Sequence, residues 1–329
     1  MSSKPPIELS LVIPVLNEEE SVPPLGAKIK EALAAIPGTH EVVFVDDGST
    51  DATAERLLSL RDASADVPIR ILRLRRNFGQ TAALAAGIER ARGRVIVLLD
   101  GDLQNDPADI ARLLAKMREG FSVVCGWRRR RRDRFLSRRL PSRVANWLVG
   151  LITGTRIHDY GCTLKAIDAA ILKRIPLYSD MHRFIPAVAT ITGARVAEIE
   201  VTHHPRRFGK SKYGISRTIK VLLDLMTIKM IVSFVTRPSH WFGVLSLPFF
   251  FLASTFLGGA FLGGVYDPSP DGPGDYSVVL PSIAILFFAL AFHFLASGLL
   301  SELILKMGDY HPRDAVSGSY LRMSPEAAA

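Results

Sequence analysis

Apolar positions along the chain fall into short unbroken runs. Longer segments between them repeat apolar residues every three or four places. Residues 9–16, 41–45, 69–74, 95–99 and 122–126 have strand length, and runs without polar alternation suit strands buried on both faces. The intervening segments predict helices over 22–36, from Ser49 or Thr50 as cap to about 63, over 78–91, and over 107–119 with Asp106 as N-cap and Pro107 at N1. Strands alternating with helices of this length predict an α/β domain with a largely parallel sheet. Pro14 has no N–H for a central strand, so it belongs near a strand end or at a bulge.

After residue 126 the pattern changes. Arg128 to Arg132 are consecutive, Arg134, Arg138, Arg139 and Arg143 follow, and 144–152 turns apolar. The segment 128–153 reads as a basic amphipathic helix on a membrane surface, with a solvated arginine loop and a nucleic-acid arm as alternatives. Residues 241–265 and 278–301 carry no Asp, Glu, Lys or Arg, and each run is long enough to cross ~30 Å of hydrocarbon. Buried core helices are the competing reading, disfavoured by two such runs in succession after an α/β domain. His293, inside the second run, is either functional or a neutral side chain bonded across the helix pair. Residues 214–240 mix apolar residues with Arg217, Lys220, Asp224 and Lys229, too many charges for a span, and read as a second interfacial helix. The expected organisation is a catalytic domain over 1–213, a juxtamembrane amphipathic helix over 214–240, two transmembrane helices over 241–305 and a tail over 306–329.

Composition sharpens this picture. Hydrophobic residues make up 48% of the 329 and the mean hydropathy is +0.21, high for a purely soluble chain. The formal charge of +9 implies an anionic partner: nucleic acid, anionic lipid or a phosphorylated substrate. The link between the two apolar runs contains Asp267, Asp271 and Asp275 and no Lys or Arg, whereas the outer flanks carry Arg217, Lys220, Lys229, Arg237, Lys306, Arg313 and Arg322. The positive-inside rule then places both termini in the cytoplasm of an inner-membrane protein. The N-terminus has no apolar signal region, so the first domain is expected to stay cytosolic. Two cysteines, Cys125 and Cys162, exclude a disulfide framework and a cysteine zinc site.

The candidate chemistry centres on Leu99-Asp100-Gly-Asp102-Leu-Gln104-Asn-Asp106-Pro107. Ligands of open α/β sheets bind beyond the carboxyl ends of strands. If the backbone stays extended, Asp100, Asp102 and Gln104 share one side. Three oxygen donors there suit Mg²⁺ or Mn²⁺.

With Val12-Ile-Pro14-Val-Leu-Asn17-Glu18, Val45-Asp46-Asp47-Gly48-Ser49-Thr50-Asp51 and Asn77-Phe-Gly79, this motif resembles the family-2 glycosyltransferases of GT-A fold. The run from His158-Asp159-Tyr-Gly-Cys162 to Arg206-Arg-Phe-Gly-Lys210-Ser211-Lys212-Tyr213, followed by two spans, resembles the polyprenyl-phosphate glycosyltransferases among them. The resemblance covers about residues 9 to 310. It implies a membrane enzyme moving a hexose, with inversion, from a nucleotide sugar to polyprenyl phosphate on the cytoplasmic leaflet. A UDP-sugar and undecaprenyl phosphate are favoured over a GDP donor, and no nucleic acid is expected. Pro14, Asn17, Glu18, Asp46, Asp47 and Asp100 would bind the nucleotide sugar, and Asp100, Asp102 and Gln104 the metal. Asp159 is a candidate base or sugar orienter, or simply a loop turn before Gly161. Arg128, Arg206, Lys210, Ser211 and Lys212 would receive the lipid phosphate, with juxtamembrane anchoring as the bland reading of the last four. Arg183 is a weaker candidate. Three rival classes stand beside this one. A lipid transporter or flippase would need more membrane helices and no nucleotide pocket. A processive polysaccharide synthase lacks support because Gln-x-x-Arg-Trp is absent. A non-catalytic polybasic adaptor leaves the carboxylates unexplained. The glycine-rich first span is compatible with a homo-oligomer.

Overall fold

The structure is a computed structural model and describes residues 6–64, 66–129, 150, 157–175, 177, 181–191, 193–205, 238–266 and 276–307. Most of the basic segment 128–153, residues 214–237 of the expected juxtamembrane helix, the cluster Arg206, Lys210, Ser211 and Lys212, the acidic link and the tail from 308 lie outside the described residues. The chain divides into two compact units, Met1–Ile228 and Lys229–Ala329.

In the first unit the strands are β1 Leu9–Val15, β2 His40–Asp46, β3 Ile69–Arg73, β4 Val95–Leu98, β5 Val123–Trp127, β6 Lys165–Asp168 and β7 Val196–Glu200. They form one sheet in the order β3-β2-β1-β4-β6-β5-β7. Every pair is parallel except those of β6, which runs antiparallel to β4 and to β5. Helices α1 Val22–Ala34, α2 Thr53–Asp62, α3 Gln80–Arg90 and α4 Ile110–Arg118 follow the first four strands, and α5 Ala169–Leu172 and α6 Ile185–Ile191 are short. The expected α/β class holds. The five foreseen strands form within a residue or two of their expected limits. Val12, Ile13, Val43, Phe44, Ile96 and Val97 have no exposed surface, as continuous apolar runs in a sheet covered on both faces require. α1 starts with prolines in its first turn and buries Val22, Leu25, Ile29 and Leu33, one stripe at helical spacing.

Strands β6 and β7 were not legible. β6 opens with Lys165, fully buried where a lysine breaks any apolar run, and every residue of β7 is half-buried. Pro14 lies where its chemistry demands. Val12 O accepts from Leu99 N and Val15 O from Asp47 N, so the Pro14 nitrogen faces the β4 side, past the last pair Val12↔Leu98.

Helix starts differ in detail. Asp106 caps as expected, its carboxylate accepting from Ala108 N at 3.1 Å, but a 3-10 turn Pro107–Asp109 precedes α4. Ser49 and Thr50 do not cap α2. That helix starts at Thr53, whose N–H and hydroxyl donate to Asp51. α3 begins at Gln80, because the amides of Phe78 and Gly79 donate to Asp47.

At the amino ends of β1 and β2, Glu41 is buried. It accepts from Ser10 Oγ at 2.6 Å and Arg92 N at 2.6 Å, with Arg70 at 3.5 Å.

The second unit contains α7 Pro238–Tyr266 and α8 Tyr276–Met307. Their 29 and 32 residues correspond to ~44 and ~48 Å at ~1.5 Å per residue. They pack through small residues, with Ala253, Ala284 and Ala291 buried, and through ring pairs such as Phe249–Phe294 at 5.3 Å and Phe256–Phe287 at 5.7 Å. Only 11% of either apolar stretch is buried, and Phe251 and Phe261 are each 73% exposed. These helices are therefore not the buried core of this chain, and both are long and apolar enough to cross a membrane. His293 lies on the helix surface beside Phe294, at 6.2 Å between rings, with no cross-helix bond among the described residues.

Candidate active site

The carboxyl ends of β1 and β2 are joined by their loops. Asn17 adopts a left-handed φ of 54°, a conformation Asn tolerates. Its N–H donates to Ser49 Oγ and its Oδ1 accepts from Thr50 N, both at 2.9 Å. Glu18 N donates to Thr53 Oγ1 at 2.8 Å, and its carboxylate accepts from Ser21 at 2.6 Å. Gly48 has φ +77°, and a Cβ there would lie 2.5 Å from the Arg76 carbonyl carbon, so only glycine fits against the 75–79 loop.

Asp46 and Asp47 do not present open carboxylates. Asp46 is fully buried, accepting from Ser49 N at 2.8 Å and facing Arg73 Nε at 3.3 Å. Through these contacts it ties the 49–51 turn to the end of β2 and to β3. Asp47 is 3% exposed and holds the Phe78 and Gly79 amides at 2.8 and 2.9 Å. Each of its oxygens retains a lone pair.

The Asp-x-Asp turn lies past the end of β4. The extended backbone expected through Gln104 is not formed: β4 stops at Leu98, residues 101–102 turn, and Leu103 is left-handed at φ 61°. The turn, not strand alternation, brings the two carboxylates together. Gly101 permits it, since a Cβ there would lie 2.7 Å from Val15 Cγ1. Asp100 Oδ1 accepts from Gln80 Nε2 at 2.7 Å, and its carboxyl also bonds Thr163. Burial, then repulsion by Asp102, push the Asp100 carboxyl up to about 6, against the Thr163 bond and the charges of Arg128 and Lys165. Asp102 accepts from Gln104 N at 3.1 Å.

The segment after β7 is tied to the same loop. His204 N donates to Gln104 O at 2.8 Å, His204 Nε2 lies 2.8 Å from Asp106, and Thr202 N donates to Asp109 at 2.6 Å. The described chain here stops at Pro205, one residue before Arg206.

Among the described residues no three His, Cys, Asp or Glu side chains cluster as a closed metal cage. Two carboxylates close enough to repel form an open pair of hard oxygen donors, while Gln104 is tied to this turn by backbone bonds, to Asp102 and His204. The carboxylate pair fits a Mg²⁺ or Mn²⁺ ion that completes its shell with phosphate oxygens and water.

Within electrostatic reach of Asp100 stands a buried ion pair. Arg128 Nε and Nη2 donate to Asp159 Oδ2 and Oδ1 at 2.7 and 3.0 Å. Burial works against the Arg128 charge, but the hydrogen bonds and charge of Asp159 outweigh it and hold the guanidinium above its ordinary pKa. Lys165 donates to Cys162 O. His182 Nδ1 lies 2.7 Å from Thr81 Oγ1, pinning the first turn of α3 next to Gln80. Arg183 shares with His182 the 3-10 turn Met181–Arg183 and is half-buried. Burial pushes the Cys125 and Cys162 thiols up to about 12 and about 11, so neither is reactive.

A parallel sheet with one reversed strand, ending in a two-carboxylate turn beside zipped β1 and β2 loops, defines the GT-A class of nucleotide-sugar folds. The glycosyl transferase family 2 model matches residues 10–178. Dodecaprenyl-phosphate galacturonate synthase of Rhizobium johnstonii is 41% identical over 320 residues, 96% of this chain and 92% of that one. Undecaprenyl-phosphate 4-deoxy-4-formamido-L-arabinose transferase of Shewanella sediminis is 37% identical over 299 residues, 90% and 86% of the two chains. Among solved structures, glucosyl-3-phosphoglycerate synthase from Mycobacterium tuberculosis, in complex with Mn²⁺, UDP and phosphoglyceric acid, superposes with a TM-score of 0.53 at 18% identity, covering 68% of this chain and 78% of that one. The chain belongs to glycosyltransferase family 2, and it is a glycosyltransferase.

Several site residues escaped the sequence reading. Gln80 directly follows the Asn77-Phe-Gly79 motif, a signal that was available. Thr163 and Lys165 follow the His158–Cys162 run closely, but nothing in their spacing points at Asp100. His182 and His204 reach the site only through tertiary contacts.

Proposed function

We propose that this glycosyltransferase transfers a hexose, with inversion, from a nucleotide sugar to a polyprenyl phosphate at the cytoplasmic leaflet of the inner membrane. The observation that carries the reading is the conjunction of an open oxygen-donor turn at Asp100 and Asp102 with the buried guanidinium of Arg128, in a chain that ends in two exposed apolar helices. The relatives named above act, by their names, on dodecaprenyl- and undecaprenyl-linked sugars, which supports the same acceptor class. UDP bound in the M. tuberculosis fold neighbour supports a UDP-sugar donor over a GDP-sugar, and undecaprenyl phosphate is the favoured acceptor.

In this reading Pro14, Asn17, Glu18 and Asp47 wall the nucleotide, and Asp46 acts on it only by ordering the 49–51 turn. Asp100, Asp102 and Gln104 would hold Mg²⁺ or Mn²⁺, which when bound neutralises charge on the departing diphosphate. Gln80 and Thr163 orient Asp100. Arg128 grips phosphate oxygens, and Arg206, Lys210, Ser211 and Lys212 add the cations an anionic lipid head group needs. The acceptor oxygen is already anionic near neutral pH, so no strong base is required for its attack on the anomeric carbon.

The test uses purified full-length protein, undecaprenyl phosphate and labelled UDP-glucose, UDP-galacturonate, formylated UDP-aminoarabinose and GDP-mannose, with Mn²⁺ or EDTA. Label from one UDP-sugar entering the organic phase only with Mn²⁺ is expected. Nucleotide binding without transfer from any donor would overturn the lipid-phosphate acceptor.

A further inference from the structure

Asp159 occupies a turn between β5 and β6 that is anchored from three sides. Glu198 Oε1 on β7 accepts from Asp159 N at 2.9 Å. Glu198 Oε2 accepts from His158 N at 3.0 Å and lies 2.8 Å from His158 Nδ1. The Trp127 ring stacks on His158 at 4.5 Å with 19° between planes. The Asp159 carboxylate is therefore presented in a fixed place, and its oxygens are occupied there. Oδ1 accepts from Gly161 N at 3.1 Å and Arg128 Nη2 at 3.0 Å, and Oδ2 from Arg128 Nε at 2.7 Å and Arg128 N at 3.4 Å. Four N–H donors match the four lone-pair sites of a carboxylate, so its accepting capacity is taken up within the protein. The side chains are 10% and 11% exposed, so the pair is largely shielded from solvent. Arg128 has five N–H donors, and Asp159 takes two from its side chain. The guanidinium also lies within electrostatic reach of Asp100.

From this geometry we infer that Asp159 is a positioning residue, not the catalytic base: it clamps the Nε–Nη2 edge of Arg128 so that the remaining donors are held ready for a phosphate oxyanion at the Asp100 turn. A flexible arginine stem loses rotamer freedom when it binds, and a bidentate clamp removes that loss beforehand. The oxyanion belongs either to the donor diphosphate or to the acceptor monophosphate. The inference rests on the glycosyltransferase reading above and deepens it.

The experiment compares full-length wild type with D159N, R128A and R128A/D159N. UDP affinity is measured by calorimetry with Mn²⁺, and the KM for undecaprenyl phosphate and the pH dependence of kcat are measured with whichever donor the panel identifies. The clamp predicts that D159N weakens one phosphate ligand at least tenfold. A raised KM for undecaprenyl phosphate assigns the grip to the acceptor, and a raised UDP Kd assigns it to the donor. The acid limb of the kcat profile stays in place, and the double variant is no worse than R128A. Loss of kcat with unchanged ligand constants and a vanished acid limb in D159N would overturn the inference, as would additive effects in the double variant. Should D159N fail to fold, R128A decides alone: an unmoved acid limb with weakened phosphate binding supports the clamp, and a displaced limb overturns it. Wild-type protein that binds UDP but transfers nothing would refute the acceptor reading, while the UDP arm would still test the clamp.

Discussion

At the scale of single residues, the site is built from side chains whose burial changes their chemistry. Asp100 has a carboxyl pushed up to about 6 by burial and by Asp102. A divalent ion needs it ionised, so protons compete with the metal below that pH and cease to compete above it. Calorimetric titration of the metal-free protein with MnCl₂ should show an apparent Kd that rises by roughly tenfold per pH unit below about 6 and levels off above. A flat profile from acid to neutral pH would remove Asp100 from the ligand set. The stability sign runs the other way. A carboxyl with a raised folded pKa binds more protons folded than unfolded, so its contribution falls as pH rises from about 4 to about 6. A bound metal ion would offset that loss.

Between elements, hydrogen bonds from buried carboxylates decide how strands meet loops and helices. Glu41, at the amino end of β2, bonds Ser10 on β1 and the Arg92 amide ahead of β4. E41A leaves these buried donors without acceptors and should destabilise the first unit by ~2–4 kcal/mol. A lowered thermal midpoint in detergent checks this. Glu41 lies six residues from Asp47, ~20 Å along the strand, so UDP affinity should survive below the transition. An unchanged midpoint would mean that water replaces the lost acceptor. Asp47 plays the corresponding part at the carboxyl end, where it sets the start of α3 and with it Gln80.

For the whole molecule, the decisive feature is a pair of helices whose outer faces are apolar and exposed. The proposed topology puts the acidic link outside. Asp271→Cys should react with a membrane-impermeant maleimide added to intact cells whose outer membrane has been permeabilised. Cys125 and Cys162 give no background, because both are buried with thiols raised to about 12 and about 11. Labelling only after the inner membrane is opened would invert the topology.

The sequence by itself determined the strand and helix alternation, the two apolar helices and the place of the Asp-x-Asp turn. Local apolar periodicity and uninterrupted hydrophobic length encode those features. It also marked Asp106 as a cap and Pro14 as a strand-end residue, both consequences of a single residue's hydrogen-bonding capacity. Only the tertiary structure decided what each carboxylate faces. Asp46 and Asp47 each hold loop amides, and Asp159 meets Arg128 across 31 residues of chain. Gln80 and Thr163 reach Asp100 from α3 and from the turn before β6. The reversed strand β6, with a buried lysine at its head, has no periodic signature at all. Such contacts depend on which strands become neighbours. Strand order is set by packing of the whole sheet, and no local stretch of sequence carries it.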